Sequence, residues 1–344
     1  MKVGYVYDPV YLKHDTGGHV ENAQRVEAII AHLEQTGLKQ QLQLITPRAA
    51  TEEELALVHT KRHIATIKDV AQKGGGWLEA DTVLSSGSYE AAVHAAGGVI
   101  KATEAVVNGG VNSAFALVRP PGHHATANWA MGFCLFNNIA IAAKYAISQL
   151  GLKHIAIIDF DVHHGNGTQE AFEEDPQVMY LSTHESPFYP GTGGADEIGV
   201  GTARGTKVNI PLPAGCGDAE YVKVYEQIVV PVVRRLRPEL IMVSAGYDAH
   251  WADGIALMQL SVAGFARMLE FIKGLADEFC GGRLVFTLEG GYNLKALSAA
   301  VKATFDVLLG NAEIEDPLGP SMRHFGVPSI DSLIKKIRSI HGLP

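Results

Sequence analysis

Seven short runs of apolar and β-branched residues constrain this chain more than any other feature; they lie at 2–8, 113–118, 154–161, 178–184, 207–212, 240–248 and 283–289. Most are apolar at consecutive rather than alternate positions, so they read as strands covered on both faces, as in a parallel sheet buried between helices. Stretches of helical periodicity separate most of them, at roughly 21–36, 86–108, 137–150, 218–236, 261–279 and 292–309. Alternating strands and helices specify an α/β fold with helices on both faces of the sheet. A length of 344 residues fits two ordinary domains or one large α/β domain. With no linker, composition break or internal repeat, the reading is one domain over 1–344.

Three of the runs stop at polar segments, IDFDVHHG, VSAGYDAH and TLEGGY, and RPPGHHA follows the run at 113–118. Ligands bind at the carboxyl ends of strands in open α/β sheets, so these four segments are expected to converge on one site. The glycine-rich stretch 191–205 contains neither GxxxxGK[ST] nor GxGxxG and reads as a loop, not a phosphate cradle.

Composition removes several function classes. With 47% hydrophobic and 19% charged residues the chain is too apolar and varied for disorder. A net charge of -9 opposes attraction to a nucleic-acid backbone, so no nucleic-acid partner is expected. Cys134, Cys216 and Cys280 are far apart and form no CxxC pair, which fits neither a disulfide framework nor a thiolate metal site. The N-terminal MKVGYVYDPVYLKHD carries charge and a proline where a signal peptide needs an apolar stretch, and no run reaches the roughly 18 apolar residues of a membrane span. The expectation is a soluble, cytoplasmic protein with no membrane partner; a homo-oligomer is left open.

Asp161 and His163 sit two apart at the end of an extended run, which puts both side chains on one face where they can share a metal. Alone, such a pair is also an ordinary polar loop start. Asp248 closes a second apolar strand, where a buried carboxylate is costly unless paired or coordinated. Two Asp oxygens and one imidazole leave a fourth position free, the pattern of a catalytic zinc site. His123 and His124 follow Arg119-Pro120-Pro121-Gly122 on a stiffened loop, where adjacent imidazoles can serve as acid and base or can simply be solvated. Asp159, on the face of Asp161, and Asn166, beyond His164, could each orient a histidine. Tyr292 follows Gly290-Gly291; it reads as a mobile phenol able to donate to a polarised carbonyl, or as packing.

Together RPPGHHA (119–125), GFCLFNN (132–138), DFDVHHGNGTQ (159–169), AGYDAH (245–250) and LEGGY (288–292) stand in the order and approximate spacing of the zinc-dependent histone deacetylase family, which the chain closely resembles. That family also includes acetylpolyamine amidohydrolases and acetoin-utilisation proteins. HVENAQR (19–25) and DTVLSSGSYEAAVHAAGG (81–98) extend the resemblance over most of the chain. It implies an arginase-like doubly wound α/β domain with a mainly parallel eight-stranded sheet. It implies zinc, or iron(II), on Asp161, His163 and Asp248, and potassium at Asp159, Asp161, His163, Ser182 and Thr183. His123 paired with Asp159, and His124 beside Asn166, would be the tandem histidines, with His124 as general base and acid and Tyr292 as the transition-state tyrosine. Phe133 and Tyr189 would wall an acyl-lysine tunnel, with Gly132, Gly290 and Ile255 also lining the substrate site. The partner implied is an acylated amine, an acetyl-lysine peptide or a small acyl-amine, hydrolysed by water that His124 deprotonates while zinc and Tyr292 polarise the amide.

Three departures from the family pattern stand out. Asn166 replaces the aspartate of class I members, as in the class II and bacterial branch, so His124 should be less basic. Val20 and Ala23 replace prolines of the HPExPxR pattern, which predicts a looser loop at the pocket. Gly254 replaces the proline of a DPL turn, and Ile255 follows where polyamine-selective members carry glutamate, leaving Asp253 or Glu21 as alternative rim charges. An idle acyl-lysine binding module would have lost Tyr292 or a histidine of the pair, and all are present. A binuclear manganese hydrolase of the arginase type needs a third aspartate that DFDVHHGNG lacks.

Overall fold

A computed structural model of the chain describes residues 1–322, 326 and 329–344. Its strands are β1 (Val3–Val6), β2 (Gln43–Ile45), β3 (Gly75–Glu79), β4 (Thr82–Ser85), β5 (Ser113–Ala116), β6 (Ile155–Asp159), β7 (Val178–Glu185), β8 (Lys207–Leu212), β9 (Leu240–Ala245) and β10 (Leu284–Leu288). Eight of them form one sheet in the order β2-β1-β5-β10-β9-β6-β7-β8, and every pairing in it is parallel. β3 and β4 form a separate antiparallel hairpin.

The consecutive apolar residues have a direct structural cause. Successive strand residues point to opposite faces, and here both faces are cores. Phe115, Ile158, Val243 and Phe286 belong to one core, with helices Gln24–Gln35, Val262–Phe279 and Leu294–Leu309 supplying Ile29, Phe265 and Leu297. Ala114, Ile157, Met242 and Val285 belong to the other, with Ser88–Val107 and Asn138–Ser148 supplying Val99 and Ile139. The registers Asp159↔Ser182 and Asp159↔Ser244 align the carboxyl ends of β6, β7 and β9, which gathers the polar segments at one edge.

Several elements differ from the sequence reading. The helical stretch 218–236 is broken by a π turn at Tyr225–Val229, where the Val230 N–H reaches back to the Tyr225 carbonyl. Pro231 follows; it donates no N–H and its ring crowds the preceding turn, and a wider turn relieves both. Strand β2 is a three-residue edge with two exposed positions, and β3 starts on two glycines, so neither carries an apolar run. Helices Lys61–Gln72, Asn166–Ala171 and Asp331–Ile340 were not expected from the sequence either; the last buries only Ile334 and Ile337. Among the described residues no helix is long and apolar enough to cross a membrane.

Candidate active site

Strand β6 ends at Asp159, so Asp161 and His163 do not share a face by strand alternation. Two successive turns bring them together instead. The Asp161 N–H donates to Asp159 Oδ1 at 3.2 Å and the His163 N–H to Asp161 Oδ1 at 2.9 Å, each carboxylate capping the amide two residues on. Asp248 lies three residues past β9, and its Oδ1 accepts from the Val162 N–H at 2.9 Å. The result is a buried triad, Asp161, His163 and Asp248, whose ligand atoms all lie within 4.8 Å of one another. His163 Nδ1 stands 3.0 Å from Asp161 Oδ1 and 3.3 Å from Asp248 Oδ2.

Two observations show that this triad fits a cation. Asp248 Oδ2 is buried and makes no well-formed hydrogen bond, His163 Nδ1 of the same triad lying 3.3 Å away, a costly state for a carboxylate oxygen. A side chain at Gly290 would collide with both Asp248 Oδ2 and Asp161 Oδ2, so the space before the carboxylates exists only because that residue is glycine. Burial opposes charge on His163, but Asp161 and Asp248 outweigh it and hold the imidazole up at about 10. The positive charge a proton supplies there is the charge a metal ion would supply.

The loop carrying the tandem histidines is tied at nearly every backbone group. Asn138 Nδ2 donates to the Pro120 carbonyl at 3.0 Å, and the Gly122 and His123 amides donate to Glu289 Oε2 at 2.7 and 3.2 Å. The His123 carbonyl accepts from the Thr168 N–H at 3.1 Å and the Ala125 carbonyl from Asn137 Nδ2 at 3.2 Å. So fixed, the two rings meet different partners. His123 Nδ1 lies 3.0 Å from Asp159 Oδ2; burial opposes its charge, but Asp159 and Asp161 hold it up at about 10. His124 Nδ1 lies 2.8 Å from Asn166 Oδ1, the first residue of helix Asn166–Ala171. Burial, then the charges of His123 and His163, push His124 well below its ordinary value. The Asn166 oxygen can only accept, so Nδ1 carries the proton and Nε2 is left with its lone pair. The buried pair is not a solvated loop.

Tyr292 is held, not mobile. Asp253 Oδ2 accepts the Tyr292 and Asn293 N–H groups at 2.6 and 2.8 Å, and the Arg25 guanidinium lies 4.9 Å from the centre of its ring. Burial raises its phenol well above the usual range, with Arg25 pulling the other way, so the O–H stays protonated as a donor. Arg25 also donates to the carbonyls of Glu289 and Gly291, and Glu21 joins it to Arg119. The loop with Val20 and Ala23 is therefore pinned through Glu21 despite its missing prolines. Glu21 and Asp253 are both turned to these internal bonds and neither supplies a rim charge.

A cavity of about 230 Å³ adjoins these groups, and Phe133, Tyr189, Phe188, Ile255, Asp81 and Tyr292 line it with Gly132, Gly290 and the three histidines 123, 124 and 163. Phe133 sits at φ 69°, the left-handed region that costs an L-residue about 1–2 kcal/mol, with its N–H on Thr82 Oγ1 at 3.1 Å. Gly132 precedes it at φ 56°, where a side chain would run into the His124 ring. The substrate-lining residues named from the sequence thus come together. Ser182 and Thr183 are buried on β7, with Ser182 in register with Asp159 and its Oγ 2.9 Å from His184 Nδ1.

Four groups escaped the sequence reading. Phe188, the residue before Tyr189, stacks on His163 with ring centres 5.2 Å apart. Asp81 opens the motif DTVLSSGSYEAAVHAAGG but lies in the turn of a hairpin that no apolar run marks. Glu289 is a buried acid at a strand end, the signal that singled out Asp248, and burial pushes it up to about 7. His59 sits in a bend between helices Glu52–Leu55 and Lys61–Gln72 and carries no motif.

Residues 19–308 match the family model described as the histone deacetylase domain. The chain is similar to histone deacetylase 14, chloroplastic, of Arabidopsis thaliana, at 41% identity over 96% of this chain and 83% of that protein. It is similar to a probable deacetylase of Archaeoglobus fulgidus at 41% identity, over 86% of this chain and 82% of that one. A crystal structure of the HDA15 HD domain superposes with a TM-score of 0.90 at 36% identity, covering 99% of this chain and 95% of that one.

Proposed function

Since the chain belongs to the histone deacetylase family and is a deacetylase with the arginase/deacetylase fold, we propose that it is a metal-dependent hydrolase of acyl-lysine amides, with 1–344 acting as one catalytic domain. Asp161, His163 and Asp248 would hold zinc(II) or iron(II), and Asp159, Asp161, His163, Ser182 and Thr183 would hold potassium. The chemistry a bound divalent ion supplies is Lewis-acid polarisation of a carbonyl and acidification of water.

The remaining roles belong to the chain's own groups. His124 Nε2, unprotonated because Nδ1 faces Asn166, accepts the proton of the attacking water and passes it to the leaving amine. Tyr292 donates a hydrogen bond from its phenolic O–H to the oxyanion as that develops, and keeps its proton. His123, held positive by Asp159, adds a fixed charge beside the same centre. Phe133, Phe188 and Tyr189 admit a slender chain and exclude water around it. The observation that carries this reading is the neutral, Asn166-oriented His124 in one cavity with His163 and Tyr292. Zinc-loaded protein should release acetate from an acetyl-lysine peptide, and His124→Ala should lower kcat roughly a hundredfold or more; an active His124→Ala variant refutes the assignment.

The mouth supports lysine peptides over acetylpolyamines. Ile255 lines the cavity and Leu257 is exposed beside it, while Glu21 and Asp253 are engaged inside the protein. The position at which a polyamine-selective member carries glutamate is therefore apolar here, and the one carboxylate that lines the cavity is Asp81. The expected outcome is a kcat/KM for acetyl-lysine peptide at least equal to that for acetylspermidine, with Ile255→Glu shifting the ratio toward the polyamine. A wild-type preference of about tenfold or more for acetylspermidine overturns it.

A further inference from the structure

His59 is buried and far in sequence from the catalytic and metal-binding groups, yet both its ring nitrogens are used. The Asn137 N–H donates to Nε2 at 2.8 Å, which requires that nitrogen to be unprotonated, so Nδ1 carries the proton and donates to the Thr126 carbonyl at 2.9 Å. Burial with His63 alongside pushes its pKa down to about 3, so this neutral tautomer persists at any working pH. Thr126 is two residues beyond His124. Asn137, at the other nitrogen, caps helix Asn138–Ser148 and holds the Ala125 carbonyl and Thr168 Oγ1, while the Thr168 N–H holds the His123 carbonyl. A closed circuit therefore runs from His59 to Thr126, back along the chain to Ala125, and through Asn137 to His59 again. Packing alone does not call for an imidazole: Phe136 and His63 meet its ring at 5.3 and 4.9 Å, contacts an apolar ring would also make. Such a ring would leave a buried N–H and a buried carbonyl unpaired.

We propose that His59 is a positioning residue for the tandem histidines, its Nδ1–H on the Thr126 carbonyl fixing where His123 and His124 stand relative to Asp159 and Asn166. The proposal rests on the reading of His124 as the base. The start of the loop is anchored by Asn138 and Glu289. Its end depends on Asn137, on His59, and on the Thr60 N–H donating to the Ala127 carbonyl. A slack end lets the His124 ring drift from the reacting centre without disturbing Asp161, His163 and Asp248 or the aromatic walls Phe133, Phe188 and Tyr189.

Two substitutions separate the two bonds. In His59→Asn the amide N–H falls near the position of Nδ1 and can still reach Thr126. In His59→Gln the longer side chain offers its oxygen near Nε2 and serves Asn137 only. Both are assayed on an acetyl-lysine peptide as full-length, metal-loaded protein, with metal content and melting temperature measured alongside. His59→Gln should lower kcat roughly ten- to a hundredfold with KM within about twofold, while His59→Asn stays within about threefold of wild type in kcat. A purely structural role predicts instead that kcat follows melting temperature in both variants; that result, or a wild-type kcat in His59→Gln, overturns the proposal. If a His59 variant does not fold, Thr168→Val unties Asn137 at another point of the circuit and should also lower kcat with KM unchanged; unchanged kcat there counts against the circuit. His124→Ala is the control. Its inactivity alongside a fully active His59→Gln refutes this proposal alone, whereas an active His124→Ala refutes the base assignment on which it stands.

Discussion

His124 Nδ1 meets a neutral amide, Asn166 Oδ1, at 2.8 Å, while its chain neighbour His123 meets the carboxylate of Asp159 at 3.0 Å. Asp159 holds the His123 imidazole charged, while burial and the neighbouring histidine charges push His124 down with no carboxylate at its Nδ1 to offset them, although the two rings lie only 4.0 Å apart.

This asymmetry sets the pH dependence. A base works only when unprotonated, and His124 is held well below its ordinary value, first by burial and then by the neighbouring histidine charges. Asn166→Asp would place a negative charge at Nδ1 and raise the His124 pKa by roughly one to three units. Rate should then be lost at a higher pH on the acid side than in the wild type. The pH profiles of kcat decide, and superimposable acid limbs would show that Asn166 does not tune this histidine.

Removing a ligand should remove the metal. Asp161→Ala is expected to lose metal content and turnover together. Gly290→Ala should weaken metal retention with all three ligands intact, since a methyl there strikes both carboxylates. Full activity of exhaustively chelated protein, with metal absent by elemental analysis, would rule out the metal-dependent reading.

Tyr292→Phe should bind metal normally and fall in kcat by roughly a hundred- to a thousandfold, about 2.7–4 kcal/mol, the usual effect of losing one oxyanion donor. The ring stays anchored because Asp253 holds the backbone, not the hydroxyl. A variant within about threefold of wild type would assign the phenol to packing.

Glu21 should matter to stability in a pH-dependent way. Burial opposes its charge, but Arg119 and Arg25 outweigh burial and hold the carboxyl at about 2. A depressed carboxylate contributes stability above its unfolded pKa of about 4.3 and loses it as pH falls through the folded value. Glu21→Gln should therefore be less stable by about 3–5 kcal/mol at neutral pH, with the gap narrowing from roughly pH 4.3 downward. Urea midpoints at pH 7 and pH 4 test this; a gap that widens in acid contradicts it.

The sheet was legible because a strand buried on both faces must be apolar throughout, as the paired destinations of Ala114 and Phe115 show. The clustering of Asp248 with Asp161 and His163 was legible because a carboxylate buried at the end of an apolar strand is costly until a positive charge meets it, and Asp248 is such a group. Its local geometry was not. The turns that join Asp159, Asp161 and His163 depend on side-chain oxygens capping amides, a pattern that leaves no periodicity. The tightness of the N-terminal loop is hidden from the sequence for a similar reason. Two prolines are absent, but the ion pairs that replace their stiffening run from Glu21 to Arg119, 98 residues away. His59 and Glu289 act through backbone groups of a distant loop, and nothing local in either segment reports such a bond.

The strand order has a consequence for synthesis. β10, the last strand made, lies between β5 and β9 at the centre of the sheet. Until residues 284–288 leave the ribosome, β5 and β9 each keep one row of backbone donors and acceptors unpaired, on strands apolar on both faces. Such edges are templates for pairing with another chain. A chain stopped before residue 283 should be recovered as aggregate, and a soluble monomer would contradict this. Between the end of β9 at residue 245 and the completion of β10 at residue 288, the nascent protein thus carries an open seam through its middle, an exposure that belongs to the topology rather than to the catalytic residues.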